Sequence, residues 1–295
     1  MNNIPLIFGE VLFDCFEDGA TVLGGAPFNV AWHLHAFDCS PLFVSRVGDD
    51  VLGKEIVAAM QNWGMAVEGL QQDSTHATGK VQVSIKEGEP SYAILAQRAF
   101  DYIQADAIPP CEPALIYHGS LALRCSDSAK ALTEILQSNP AIPVFMDVNL
   151  RPPWCDIEQI RQCLDSATWV KINGDELATL VDATCDIHKQ AALLMQAHDL
   201  ALVIVTQGEQ GAFTMDQSGK VFTVQPTKVS RVVDTVGAGD AFASVCILGL
   251  LKKWDMQTTL KRAQTFASAL VEQQGATVHG RGFYQSFKMQ WHLSN

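Results

Sequence analysis

Asp240 stands directly after Gly237-Ala238-Gly239, in the stretch DTVGAGDAF that begins at Asp234. A run of minimal side chains lets several backbone N–H groups converge on one anion, and apolar, helix-compatible sequence (AFASVCILGLL) follows at once. The glycine turn is therefore expected to open a helix, where exposed amides and the helix dipole favour negative charge. A carboxylate on the first turn of that helix repels a phosphate, so its presence there points to a chemical role, that of taking the proton from an attacking hydroxyl. The competing explanation is structural, with Asp240 capping the helix and the glycines turning the chain.

A second stretch, GGAPFNVA from Gly24 to Ala31, weighs against that explanation. Together the two resemble the signatures of the ribokinase-like (PfkB) carbohydrate kinases: GG-x-P-x-N-x-A near the N-terminus and D-T-x-G-A-G-D near the C-terminus. Both stand in the family's order and at about its separation, and Gly48 falls where the first signature expects its last glycine. Asp38 replaces an expected Gly or Ser, and Val245 an expected Ala or Gly. The first reads as a loop change and the second as an adjustment of helix packing near the nucleotide; neither removes a reacting group. The resemblance covers nearly the whole chain. With GE-x-LFD at residues 9–14 and DVNLR followed by Pro-Pro-Trp at residues 147–154, it is nearest the fructokinase branch.

The remaining composition bounds the answer. A chain of 295 residues with 48% apolar content can bury a large core, in one or two domains by length alone. A net charge of −12 argues against a nucleic-acid surface, which needs clustered Lys and Arg. The longest apolar runs fall short of a membrane span, and the N-terminus MNNIPLIFGE lacks a signal-type core, so a cytoplasmic setting is expected. The eight cysteines show no CxxC pair and read as reduced thiols; the eight histidines are scattered, with His33 and His35 two apart, so no structural metal site is expected.

The elements that must carry these residues alternate strand and helix. Strands are expected at Leu6–Phe13, Val22–Gly25 and Leu42–Val47, a helix at Val30–Phe37, and another from Asp50 to Trp63 stopped by Gly64. This rhythm predicts a parallel sheet with crossover helices. It breaks at Lys80–Ile85 and Tyr92–Leu95, which read as a hairpin around a turn at Lys86–Pro90 with one apolar face to cover something. Strands resume at Pro113–His118, Ile142–Val148, Trp169–Asn173 and Ala201–Val205, with helices at Asp127–Leu136 and Glu176–Val181. An antiparallel edge hairpin (Ala212–Met215, Lys220–Val224) and a long helix from Met256 to Gln274, stopped by Gly275, complete the chain.

The resemblance implies a fold and a set of roles. The fold is a ribokinase-like three-layer α/β sandwich: one kinase domain over residues 1–295, with a mostly parallel central sheet and a small β lid from segments about 11–24 and 78–103. Asp14 would accept hydrogen bonds from two sugar hydroxyls, or else be a turn aspartate. Gly25 would let the sugar approach the backbone, and Asn29 would offer it a donor and an acceptor. Arg98 would meet the sugar or an anionic group on it, or form a surface ion pair. Asp147, Asn149 and Arg151 would wall the site, with Arg151 a phosphate or sugar contact; the alternative is a strand-end cluster holding loops together. Lys171 would balance phosphate charge. Asn173 and Glu176 would face Mg²⁺ on ATP through water, unless Glu176 only supports its helix. Thr206, Gly208 and Gly211 would line the nucleotide, and Gly275 the adenine-side turn. Asp234 and the carbonyl of Val236 match positions that hold K⁺ in many relatives.

The expected activity is ATP-dependent phosphorylation of a sugar hydroxyl, fructose to fructose 6-phosphate first, with Asp240 as base and the amides of Gly237 to Asp240 as anion hole. Other sugars, sugar acids, ribosides and sugar phosphates stay open. So does a non-catalytic nucleotide- or sugar-binding protein, whereas a dehydrogenase is disfavoured because GGAP lacks the GxGxxG spacing. The exposed lid edge makes a homodimer plausible.

Overall fold

The structure is a computed structural model and describes residues 4–86, 89–181, 184–227 and 229–293. The N-terminal third holds β1 (Pro5–Phe8), β2 (Leu12–Phe16), β3 (Thr21–Gly24), α1 (Ala26–Ala36), β4 (Leu42–Gly48), α2 (Val51–Trp63), β5 (Leu70–Asp73), β6 (Gly79–Lys86) and β7 (Glu89–Ile94). The middle holds β8 (Leu115–His118), α3 (Ser126–Ser138), β9 (Val144–Asp147), α4 (Ile157–Asp165), β10 (Trp169–Asn173), α5 (Gly174–Val181) and α6 (Ile187–His198). It closes with β11 (Leu202–Thr206), β12 (Ala212–Asp216), β13 (Val221–Val224), α7 (Ala238–Lys252), α8 (Met256–Leu270) and α9 (Arg281–Gln290).

Nine strands form one sheet in the order β13-β12-β11-β10-β9-β8-β1-β4-β5. It is parallel from β11 to β5, and β12 and β13 add the antiparallel edge expected from the sequence. Side chains alternate across it. Ile7 joins the core under α1, α2, α7, α8 and α9, while Leu6 and Phe8 face the core under α3. Val203 and Val205 pack with α4, α5 and α6, and Ile204 points the other way. The result is the expected three-layer sandwich.

Four strands, β3-β2-β6-β7, make a second sheet from residues within the two segments expected to form the lid. Its inner residues Leu12, Val81 and Val83 pack on Phe100, Leu121 and Ala122. The expected turn at Lys86–Pro90 falls partly on residues 87 and 88, outside the described residues.

Three expectations are corrected. The strand expected over Leu6–Phe13 is two strands in different sheets, broken at Gly9, whose φ is +150°. A Cβ there would lie 2.4 Å from the Pro27 ring, so a bare glycine is required where the chain leaves one sheet for the other. Helix α1 starts at Ala26, four residues before the expected Val30, with Pro27 in its first turn. Helix α8 ends at Leu270, short of the expected Gln274, and residues 271–280 run as turns and irregular chain. Helix α2 is as expected: Asp50 caps it by accepting from the Gly53 amide, and Gly64 ends it at φ +89°.

Among the described residues no helix is long and apolar enough to cross a membrane. All eight cysteines are unpaired, and no group of side chains among the described residues could hold a metal ion by itself.

Candidate active site

The carboxyl ends of the parallel strands converge on one edge, where Asp147 ends β9, Asn173 ends β10 and Thr206 ends β11. Lys171 and Asp147 are register partners on β10 and β9, so their side chains leave the same face of the sheet. Lys171 Nζ lies 2.7 Å from Asp147 Oδ1, and both are buried. Tyr117 Oη donates to the other Asp147 oxygen at 3.3 Å. Burial alone would discharge Lys171, but the Asp147 carboxylate outweighs it and holds the ammonium above its ordinary value.

Helix α7 brings the glycine turn to this pair. Gly237 is its N-cap at φ +79°, a conformation that only glycine adopts without strain, and a Cβ there would sit 2.4 Å from Ala276 Cβ. A Cβ on Gly239 would sit 3.6 Å from Lys171 Nζ, so the ammonium faces the start of the helix. Among the described residues the amides of Gly237, Gly239 and Asp240 find no acceptor; that of Ala238 donates weakly to the Thr235 carbonyl at 3.3 Å. Free amides, a helix N-terminus and an ammonium make an anion site.

Asp240 lies on the first turn of α7. Asn29, on the first turn of α1, donates from Nδ2 to Asp240 Oδ2 at 2.7 Å. Asp240 is half-buried. Burial pushes its pKa up to about 7, Asn29 pulls it back, Asp147 adds to the rise, and Lys171 and Arg151 oppose it. The early start of α1 matters here, because it places Asn29 on the helix turn nearest Gly25 and the small sheet.

Sequence reasoning missed Glu10. This side chain is 2% exposed, and its Oε2 has no hydrogen-bond partner. Burial pushes it up to about 7, the amides of Glu10 and Ala26 pull it back, and Asp240 adds to the rise. The signal was available: a lone charge inside the apolar run LIFGEVLF. Gly25 packs on the same residue, since a Cβ there would lie 2.7 Å from the Glu10 carbonyl oxygen.

The remaining expected residues divide. Glu176 Oε1 accepts from the Leu150 amide and Oε2 from the Asn173 amide, while Asn173 Oδ1 accepts from the Glu176 amide. This reciprocal cap supports α5 and ties it to the strand end before Arg151. Arg151 is exposed, and its charge lowers the pKa values of Asp240, Glu10 and Asp147. Asn149 is held at its backbone by the Ser120 hydroxyl, as in the loop-holding alternative. Asp234 accepts from the Val236 amide at 2.9 Å and the Gly275 amide at 3.0 Å, joining the turn before α7 to the irregular stretch after α8. Gly211 is needed at φ +90°, where a Cβ would meet the Val224 carbonyl at 2.1 Å; Gly208 has open space around it. Val245 is fully buried in α7. Asp38 adopts φ +60° and pairs with Lys288, which explains why glycine suits that position.

Asp14 and Arg98 lie on the small sheet and at its exit, without a hydrogen bond to the Asp240 group. Asp14 is half-buried, and burial raises its pKa. The surface ion pair considered for Arg98 does not form with Asp101: that carboxylate is taken by Arg124 at 2.7 Å in a buried pair, and Arg98 Nε is left without a partner. A cavity of about 460 Å³ lined by His35, Asp38, Trp63, Arg281 and Lys288 contains none of these site residues.

A family model described as pfkB family carbohydrate kinase matches residues 16–279. The chain belongs to the PfkB family of carbohydrate kinases. A probable fructokinase-5 of Arabidopsis thaliana is 30% identical over 300 residues, covering 91% of each chain. Among solved structures, a fructokinase from Xylella fastidiosa with bound ATP superimposes with a TM-score of 0.87 at 21% identity, covering 99% of this chain and 100% of that one. A fructokinase double mutant from Vibrio cholerae O395, in a form with fructose, ADP and potassium ion bound, gives 0.83 at 22% identity, covering 96% and 98%. These neighbours share the ribokinase-like fold. The PfkB match begins at Phe16, so Glu10 and Asp14 lie before it, while the GGAPFN and GAGD stretches both lie within it.

Proposed function

We propose that this PfkB kinase transfers the γ-phosphoryl group of ATP to a hydroxyl of fructose, giving fructose 6-phosphate and ADP. The observation that carries the chemistry is Asp240: a carboxyl on the first turn of α7, beside free amides and 2.7 Å from Asn29 Nδ2. Asp240 takes the proton of the attacking hydroxyl. The sugar oxygen forms a bond to the γ-phosphorus as the bond to the β-phosphate oxygen breaks, and ADP leaves. The amides of Gly237, Gly239 and Asp240, with Lys171 behind Gly239, hold the charge on the transferred oxygens. Fructose is supported by the fructokinase relatives, including the plant protein at 30% identity.

Asp14, Gly25, Asn29, Arg98 and Arg151 are assigned to the sugar and its transferring phosphate. Thr206, Gly208, Gly211 and Gly275 are assigned to the nucleotide. The small sheet is assigned as a lid that keeps water from the phosphoryl group. Its outer strands β3 and β7, with exposed Val22 and Tyr92, are where a second copy would pair in a homodimer. We place the reaction in the cytoplasm.

The oxygen-only set of Asn173 and Glu176 fits Mg²⁺ held through water. Each Glu176 oxygen accepts one amide and keeps an acceptor position for a water ligand. Bound to the phosphates, Mg²⁺ would neutralise their charge. Asp234 and the Val236 carbonyl fit a K⁺ beside the anion site, and one neighbour was solved with potassium.

The test is an ADP-release assay with Mg-ATP over fructose, other sugars, sugar acids, ribosides and sugar phosphates, with and without K⁺. Fructose turnover that falls about 10²–10⁴-fold in Asp240→Asn is the expected result. Turnover confined to another compound replaces the substrate. An Asp240→Asn enzyme at the wild-type rate removes the proton role.

A further inference from the structure

We propose that His33 is a positioning residue for the anion-binding turn: through Ala276 it sets where Gly237 can lie, and it does so from the helix that also carries Asn29.

His33 is fully buried on α1. Its Nε2 lies 3.1 Å from the Ala276 carbonyl and its Nδ1 lies 3.0 Å from Tyr284 Oη. A carbonyl can only accept, so Nε2 carries the proton and Nδ1 accepts from the tyrosine hydroxyl. Burial holds the ring neutral, with a pKa lowered to about 3, in keeping with that tautomer. The neighbouring Trp32 Nε1 donates to the Val278 carbonyl at 3.1 Å. Two consecutive side chains of α1 thus hold two carbonyls of a stretch, residues 271–280, that is neither helix nor strand. Backbone groups outside a ladder need such partners when buried.

Ala276 in turn abuts the N-cap of α7. A Cβ on Gly237 would lie 2.4 Å from Ala276 Cβ and 2.6 Å from its Cα, so the turn rests on this residue with no slack. Asn29 is one helical turn before His33 on the same face and bonds Asp240 directly. Helix α1 therefore grips the start of α7 twice: at the carboxyl by Asn29, and at the glycine turn by His33 through Ala276. Acceptor side and donor side are held by one rigid element. Leucine at position 33 would fill the space but take the donor from the Ala276 carbonyl and the acceptor from the Tyr284 hydroxyl proton.

The test compares His33→Leu, His33→Gln and Tyr284→Phe by hydrogen–deuterium exchange on nucleotide-free protein. Glutamine can still donate to the Ala276 carbonyl; leucine cannot. His33→Leu is expected to speed exchange about tenfold at the hydrogen-bonded amides on either side of the contact, Ala241 (to the Gly237 carbonyl) and Gly275 (to Asp234), the size of one lost net hydrogen bond, while α3 to α6 keep wild-type rates. His33→Gln should stay near wild type, and Tyr284→Phe should show a smaller rise at the same residues. Exchange that is unchanged in His33→Leu, that rises evenly through the protein, or that is equal in the leucine and glutamine variants overturns the inference. This arm needs no substrate, so it is decisive even if ATP proves not to be the donor. With ATP as donor, binding of a non-hydrolysable analogue should weaken about tenfold in His33→Leu and recover in His33→Gln.

Discussion

Asn29 Nδ2 donates to Asp240 Oδ2 at 2.7 Å and joins residues 211 positions apart. One end sits on the first turn of α1 and the other on the first turn of α7, so each signature stretch completes the other's site. A donor to a carboxylate favours its charged form and lowers its pKa. Asn29→Ala should therefore move the acid limb of the kcat profile to higher pH and lower kcat about 10–100-fold through misplacement of the base. A pH–rate series checks this; a limb that stays where it was would mean that Asn29 does not act on Asp240.

Asp240 and Glu10 are both pushed to about 7, chiefly by burial, and the Asp240 carboxylate adds to the rise at Glu10. The groups facing Asp240 are Asn29, Asp147, Lys171, Arg151, Glu10 and Tyr117. A base must be unprotonated, so kcat/KM should rise with pH through about 7, with apparent values that belong to the pair. Glu10→Gln removes a negative charge near the base, and the limb should move to lower pH. The linkage sign is also fixed. Both folded pKa values exceed the unfolded ones, so the folded state binds more protons from about pH 4.5 to 7, and this contribution to stability is lost as pH rises through about 7. Denaturant midpoints at pH 5.5 and 8 for wild type and Glu10→Gln check it: the variant should lose less between the two.

Much of this site was legible because its chemistry sits in local sequence. Gly237 to Asp240 is a turn, a helix N-terminus and the proposed base in four consecutive residues, and strand rhythm placed β4 and β8 to β13 nearly as found. What escaped depends on tertiary contact. The break at Gly9 follows from the approach of Pro27, a residue in another element. The end of α8 at Leu270 follows from residues 276–278 being held by Trp32 and His33 of α1 rather than by helical bonds. Lys171 and Asp147 were each noticed alone, but only sheet register makes them a pair. Glu10 carried a sequence signal, yet a charge inside an apolar run does not say which carboxyl it will face.

Gly237→Ala tests how little room the anion turn has. The new Cβ would enter at φ +79°, 2.4 Å from Ala276 Cβ, and neither backbone can yield cheaply. Strain and overpacking together should cost about 1–3 kcal/mol of stability. Activity should fall further than stability implies, by about 10²-fold, because the amides move off the phosphoryl oxygens. Thermal unfolding beside steady-state kinetics separates the two; a folded variant with wild-type kcat would remove the turn from the anion hole.

The buried pair Lys171–Asp147 separates stability from chemistry most cleanly. Its geometry is good, with 2.7 Å between Nζ and Oδ1 and a third contact from Tyr117. Removing one partner strands the other charge, so Lys171→Met should cost about 3–5 kcal/mol, whereas a Lys171→Met, Asp147→Leu double variant should recover most of that loss, because two apolar side chains need no partner. The double variant should nevertheless stay nearly inactive, since the ammonium behind Gly239 is gone from the anion site. Urea unfolding of the single and double variants, with kcat for each, reads both effects. Recovery of stability without recovery of rate means the pair is kept for what it does to the phosphoryl group. Recovery of both would make Lys171 a structural residue and leave the charge to the amides alone.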